Sequence, residues 1–131
     1  MKRLFIGLTL SGVLTTGLVQ ADTSVVSGSG KHFQQREGEA LFKAICQGCH
    51  MDQGQGATGA GAYPALANNP KLAAQAYPLF MVAQGQGGMP GFKQFLDDEQ
   101  IAAVVNYVRT HYGNNFNDPV DLSMVKALTG R

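Results

Sequence analysis

The sequence predicts an all-α domain of three to five helices wrapped around one prosthetic group, and three observations carry that expectation. First, no segment alternates apolar and polar residues as a half-buried strand does. Second, Ile101, Val104, Val105 and Val108 form an i, i+3, i+4, i+7 stripe behind a strong helix start at Asp97. Third, a shorter helical pattern runs into Cys46-Gln47-Gly48-Cys49-His50, two thiols three residues apart followed at once by an imidazole. That spacing is a covalent haem attachment site, each thiol adding to one vinyl group and His50 standing as an axial ligand. These are the only two cysteines in the chain. A thioredoxin-like redox pair would need a βαβ context, and a zinc site would need further ligands. Haem also accounts for the adjacent histidine.

At the N-terminus, Lys2 and Arg3, the apolar but glycine- and threonine-diluted stretch from Leu4 to Val19, and the small residues of Val19-Gln20-Ala21 read as a secretory signal peptide cut after Ala21. It is short and weakly apolar for a membrane anchor, so no stable span is expected after cleavage. Export to the periplasm of a Gram-negative bacterium suits c-type haem, which is attached outside the cytoplasm. Removing residues 1–21 leaves eight basic against nine acidic side chains, a net charge of about −1. No basic nucleic-acid surface is present. Residues 22–33, rich in Ser, Gly, Asp and Thr, read as a flexible leader.

Leu41, Phe42 and Ile45 predict a first helix over about 35–46 that delivers the haem motif at its end. Residues 51–62 are glycine- and alanine-rich and read as an irregular loop whose backbone can pass close to a flat macrocycle. Asn69-Pro70 is a helix start, cap followed by proline at the first position, for a short helix over 70–75. A further helix is expected over 78–84, ended by Gly85-Gln86-Gly87-Gly88. Asp97 and Gln100 have capping-box spacing, with Asp98 and Glu99 at the positive end of the helix dipole and Gly113 as the residue beyond the C-cap. Arg109 and His111 lie near that helix's C-terminus, where a cation is favoured. A last helix over 122–128 is capped by Asp121.

Candidates for the sixth iron ligand are Met51, Met81, Met89, Met124, His32 and His111. Met51 is too close to His50 to reach the opposite haem face, and Met81 has the helical setting of a core methionine. Met89 is favoured: it sits in Gly87-Gly88-Met89-Pro90-Gly91, where glycines allow close approach and Pro90 stiffens the backbone.

Residues 34–113 closely resemble the class I cytochrome c family, on Cys46 to His50, Pro64-x-Leu66, Met89-Pro90 and the two flanking helices. The resemblance implies the cytochrome c fold and haem c held through Cys46 and Cys49 with His50 and Met89 as metal ligands. It also implies that the Pro64 carbonyl orients His50, that Leu66 packs on the haem face, and that the flanking helices cross at Gly38, Phe42 and Tyr107. The Met loop and the Asp-Asp-Glu-Gln helix start are similar to small cytochromes related to the haem subunits of cbb3-type oxidases. The extension over 114–131 resembles the ends of haem domains in cytochrome subunits of periplasmic dehydrogenases. Those subunits carry several haem motifs, whereas this chain has one.

The expected function is therefore a one-electron carrier rather than an enzyme. Its donor would be a periplasmic dehydrogenase, and its acceptor an oxidase or another cytochrome of the respiratory chain. A peroxidase-like enzyme or a gas sensor, either needing an open or displaceable sixth position, is the alternative. Lys43, Lys71 and Lys93 form no dense cluster, and Ala57, Ala60, Ala62 and Ala65 would surround the exposed haem edge. Transfer to a partner should then depend little on ionic strength.

Overall fold

A computed structural model describes residues 32–131, so the signal-peptide expectation and most of the expected leader lie outside the described residues. Packed structure is already present at Phe33, which rests against the core while its carbonyl accepts from the Gln100 side chain at 2.7 Å. The first helical run begins at Gly38, not 35, and continues through the haem motif to His50 instead of ending at Cys46. It comprises α1 (Gly38–Leu41), a π-helical turn (Phe42–Cys46) and α2 (Gln47–His50). A π turn inserts one residue into the i→i−4 ladder and rotates the helix beyond it. Leu41 and Phe42 can therefore face the core while His50 is still buried at the far end. Met51 stops the run with a φ of 65°.

The segment read as an irregular loop holds a small antiparallel ladder, β1 (Ala57–Thr58) with β2 (Ala62–Tyr63). A second ladder pairs β3 (Gly85–Gln86) with β4 (Met89–Pro90). Each strand is two residues long, too short to print an alternating pattern in the sequence. The architecture remains mostly helical. Asn69 caps a 3₁₀ turn (Pro70–Ala73), its side chain accepting from the Lys71 N–H at 3.0 Å. Helix α3 spans Ala76–Gln84 and places Pro78 in its first turn, where the missing N–H costs nothing.

Helix α4 (Asp98–Thr110) has the expected capping box: Asp97 Oδ1 accepts from Gln100 N, and Gln100 Oε1 accepts from Asp97 N, both at 2.9 Å. Its far end differs from expectation. Tyr112, with φ 58°, turns the chain first, and Gly113 comes after it. Helix α5 (Leu122–Thr129) is capped by Asp121 and closed by a left-handed Gly130.

The core lies where α1 and the π turn cross α4, with α3 and α5 closing it. Leu41, Phe42, Ile101, Val104 and Val105 are buried there, joined from the tail by Val120 and Val125. The crossing is close because Gly38 has no side chain: a Cβ at Gly38 would lie 2.6 Å from Tyr107 Cβ and against the Ala103 carbonyl oxygen. Phe42 packs beside Tyr107 and Tyr112, with ring centroids 5.9 and 4.9 Å away. The tail is tied down by polar groups as well. Asn106 accepts from Val120 N at 2.8 Å and donates to Val120 O at 2.9 Å, and Gln84 of α3 donates to Leu128 O. Among the described residues, no helix is long and apolar enough to cross a membrane.

Candidate functional site

The two helical layers and the 3₁₀ turn leave a cleft of about 750 Å³, part of it open to solvent. Five of the six residues expected to hold the haem line it: Cys46, His50, Pro64, Leu66 and Met89. They come from positions 46 to 89 and meet only through the fold. Cys49 does not line the cleft and is exposed one turn along the same helical run. Apolar walls are supplied by Leu72, Pro78, Val82, Val104 and Val108, and Met81 faces the same space as Met89.

His50 is buried, 8 % exposed, and its Nδ1 lies 2.9 Å from the Pro64 carbonyl oxygen. A carbonyl can only accept, so Nδ1 carries the proton and donates. In the neutral ring, the form that binds metals, this leaves Nε2 as the unprotonated nitrogen. The Pro64 segment is held in turn. Leu66 N and Ala67 N both donate to Gly54 O, at 2.7 and 2.9 Å, and Gly56 N donates to His50 O at 3.0 Å. The loop after the motif thus folds back on the histidine that precedes it.

Met89 stands in strand β4, opposite Gln86. The hairpin closes tightly at Gly85, whose φ is 75° and ψ 170°, a region open essentially to glycine alone. A Cβ there would lie 2.5 Å from Gly91 N and 2.6 Å from the Pro90 carbonyl carbon. The segment that sequence reading treats as an open loop is a clamped hairpin.

The donor set fits haem. It offers one imidazole and the thioethers of Met81 and Met89 in an apolar cleft with no Asp or Glu among the described lining residues, a poor site for a hard cation. Burial, with a smaller contribution from Cys49, pushes the Cys46 thiol up to about 12. As a free side chain it would be a neutral thiol at physiological pH, unsuited to dithiol exchange. As a thioether donor to a porphyrin it suffers no such penalty.

Sequence reading missed several residues of the site. Asn69, Lys71 and Tyr77 supply the polar part of the lining. Buried Asn114 ties three segments together: it donates to Leu66 O and Val108 O, both at 2.8 Å, and accepts from Asn69 N at 2.9 Å. Arg109 is fully buried, although its helix-terminal position suggested only a favourable end charge. No local pattern marks these roles, since each depends on partners 6 to 48 positions away. Tyr112 sits behind the motif; burial and the Tyr107 hydroxyl, 3.2 Å away, raise its phenol well above the usual range.

Comparison with known proteins bears on the same residues. The family model described as cytochrome c oxidase, cbb3-type, subunit III matches residues 33–108. The chain is 30 % identical over 124 residues to the cytochrome c subunit of a quinone alcohol dehydrogenase from Gluconobacter oxydans, covering 85 % of this chain and 26 % of that one. It is 35 % identical over 94 residues to the cytochrome subunit of a fructose dehydrogenase from Gluconobacter japonicus, covering 60 % and 19 %. It is 38 % identical over 73 residues to cytochrome c6 of Leptolyngbya boryana, covering 54 % and 85 %. The chain therefore spans about a quarter or less of the two dehydrogenase subunits and most of the length of a small cytochrome.

Proposed function

We propose, from the premise that this chain belongs to the cytochrome c family and holds one haem c through Cys46 and Cys49, that it is a periplasmic one-electron carrier with His50 and Met89 as axial ligands. The observation that carries the reading is the Nδ1–Pro64 hydrogen bond in an apolar cleft that Met89 also lines. When bound, the haem iron supplies the one-electron chemistry by changing oxidation state. The chain's own residues do the rest. Pro64 fixes the ring and tautomer of His50. The Gly85–Pro90 hairpin presents the Met89 sulfur on a backbone that cannot drift, so the same ligands serve both oxidation states. Leu66, Leu72, Val104 and Val108 exclude water. A thioether prefers ferrous iron, which places the reduction potential high. Among the described residues the cleft lining includes no second histidine and no carboxylate, the side chains most often used as a distal acid-base group.

The donor we assign is a dehydrogenase and the acceptor an oxidase or another cytochrome, as the relatives' roles suggest. Residues 34–113 would form the carrier domain, 1–21 the export signal and 114–131 an extension. The test is the weak near-infrared charge-transfer band of a Met–Fe(III) pair. Ferric full-length protein should show it, Met81→Ala should keep it and Met89→Ala should lose it. High-spin ferric iron in the wild type would instead point to an enzyme or sensor. Loss of the band in Met81→Ala alone would exchange the ligand.

A further inference from the structure

Arg109 is 0 % exposed, yet it is one residue from the end of α4. Burying a guanidinium is costly unless its donors are matched. Its Nε donates to Leu72 O at 2.9 Å, Nη2 to Ala73 O at 3.1 Å and to Asp118 Oδ1 at 2.8 Å, and Nη1 to the Asp118 carbonyl. The ring of Phe116 lies 6.0 Å from the guanidinium carbon. Three of these four bonds go to neutral carbonyls, which solvate the charge without cancelling it. The one carboxylate, on Asp118, is 63 % exposed, so water weakens its field without abolishing it. On the inner side a net positive charge remains.

That inner side borders residues of the cleft wall. Leu72, whose carbonyl holds Nε, lines the cleft, and so does Val108, the chain neighbour of Arg109. The lining holds one further cation, Lys71, and no anion. Oxidised and reduced iron differ by one positive charge. A cation behind an apolar wall, where screening is weak, therefore favours the reduced form.

We infer that Arg109 acts through the cleft wall as a positioning residue that holds the reduction potential high, and that Asp118 in the tail lowers it from that level. The inference rests on the reading that haem occupies this cleft with His50 and Met89 as ligands. It makes the tail part of the redox design, since the carboxylate that moderates Arg109 comes from residues 114–131. The Arg109 hydrogen bond holds the Asp118 carboxyl below the usual range, so it is charged at neutral pH.

The experiment uses the full chain with haem attached, equilibrated with a one-electron mediator. Asp118→Asn removes the negative charge and leaves the backbone carbonyl that Nη1 uses. We expect its reduced-to-oxidised ratio to rise about threefold, which at 59 mV per tenfold is ~28 mV, with the Met–iron band unchanged. Arg109→Met should lower the ratio, and Arg109→Lys, which keeps the charge but not the planar fork, should lie between it and wild type. A merely structural Arg109 would leave Arg109→Met at the wild-type potential, and that result, or an Asp118→Asn ratio unchanged or lower, overturns the inference. If the Arg109 variants do not fold, Asp118→Asn alone decides. A wild type without the Met–iron band fails the ligand assignment first and takes the inference with it. A wild type with the band and an unshifted Asp118→Asn sinks only the inference.

Discussion

Replacing Gly38 by alanine adds a methyl group at the tightest point of the fold. The new Cβ would sit 2.6 Å from Tyr107 Cβ and 3.0 Å from the Ala103 carbonyl carbon, with the Ala103 oxygen nearer still. Ordinary carbon–carbon contact begins near 3.5 Å, so the two helices must separate by about 0.9 Å. Neither neighbour can yield alone, since the Ala103 atoms are helix backbone and Cβ of Tyr107 is fixed to it. A gap of that size forfeits roughly a quarter to a half of the dispersion energy between the facing side chains. Overpacking of this kind costs about 3 kcal/mol, and the better helix propensity of alanine returns at most ~1, leaving a net loss of about 2 kcal/mol. For a domain of this size that lowers the melting temperature by roughly 8–16 °C. The assay is thermal unfolding of the haem-loaded protein, monitored by far-UV circular dichroism. An unchanged or higher melting temperature would refute the close crossing, because alanine would then have gained its propensity without a clash.

Other parts of the molecule predict three further outcomes. Asp97→Ala removes the α4 capping box and should cost about 1 kcal/mol, read as a lower urea midpoint with unchanged slope. Although burial raises the Asp97 carboxyl, the Gln100 N–H and the Arg36 guanidinium outweigh it and hold the group below its ordinary 3.8. Its contribution is therefore complete above that value and lost as pH falls through the lower folded one, so the mutant and wild-type midpoints should converge in acid. Gly85→Ala should weaken the Met–iron band more than Gly87→Ala, because a Cβ at Gly87 meets nothing within 4 Å while one at Gly85 strikes the Pro90 and Gly91 backbone; equal effects would contradict the clamped hairpin. Electron self-exchange between two copies, measured by nuclear magnetic resonance line broadening, should change less than about threefold from 0.01 to 0.1 M salt, over which the Debye length contracts from roughly 30 to 10 Å. A steep dependence would reveal a charged contact face that the net charge of about −1 left after removal of residues 1–21 does not suggest.

The parts of this protein legible in the sequence are those set by neighbours in the chain. The capping box of α4, the valine stripe behind it and the Asp121 cap of α5 are interactions over three or four residues, and each stands where the pattern placed it. Cys46 to His50 identifies haem because five consecutive residues carry the whole chemical signal. Even locally, reading had limits. The first helix runs on to His50 rather than ending at Cys46, by way of a π turn over Phe42–Cys46 that no local pattern marks.

The sequence by itself determined the cofactor, the helical class and the candidate ligands. Only the tertiary structure decided what those ligands do to one another. The proton on His50 Nδ1 is assigned by a carbonyl 14 positions away, and Asn114 joins wall segments as far as 48 positions distant. Arg109 looked like an ordinary helix-end cation until the fold buried it behind the cleft with a tail carboxylate as partner. Motif and periodicity record the chemistry of adjacent residues. Tautomer, field and burial are properties of groups brought together in space, and the chain acquires them only when the helices close around the cleft.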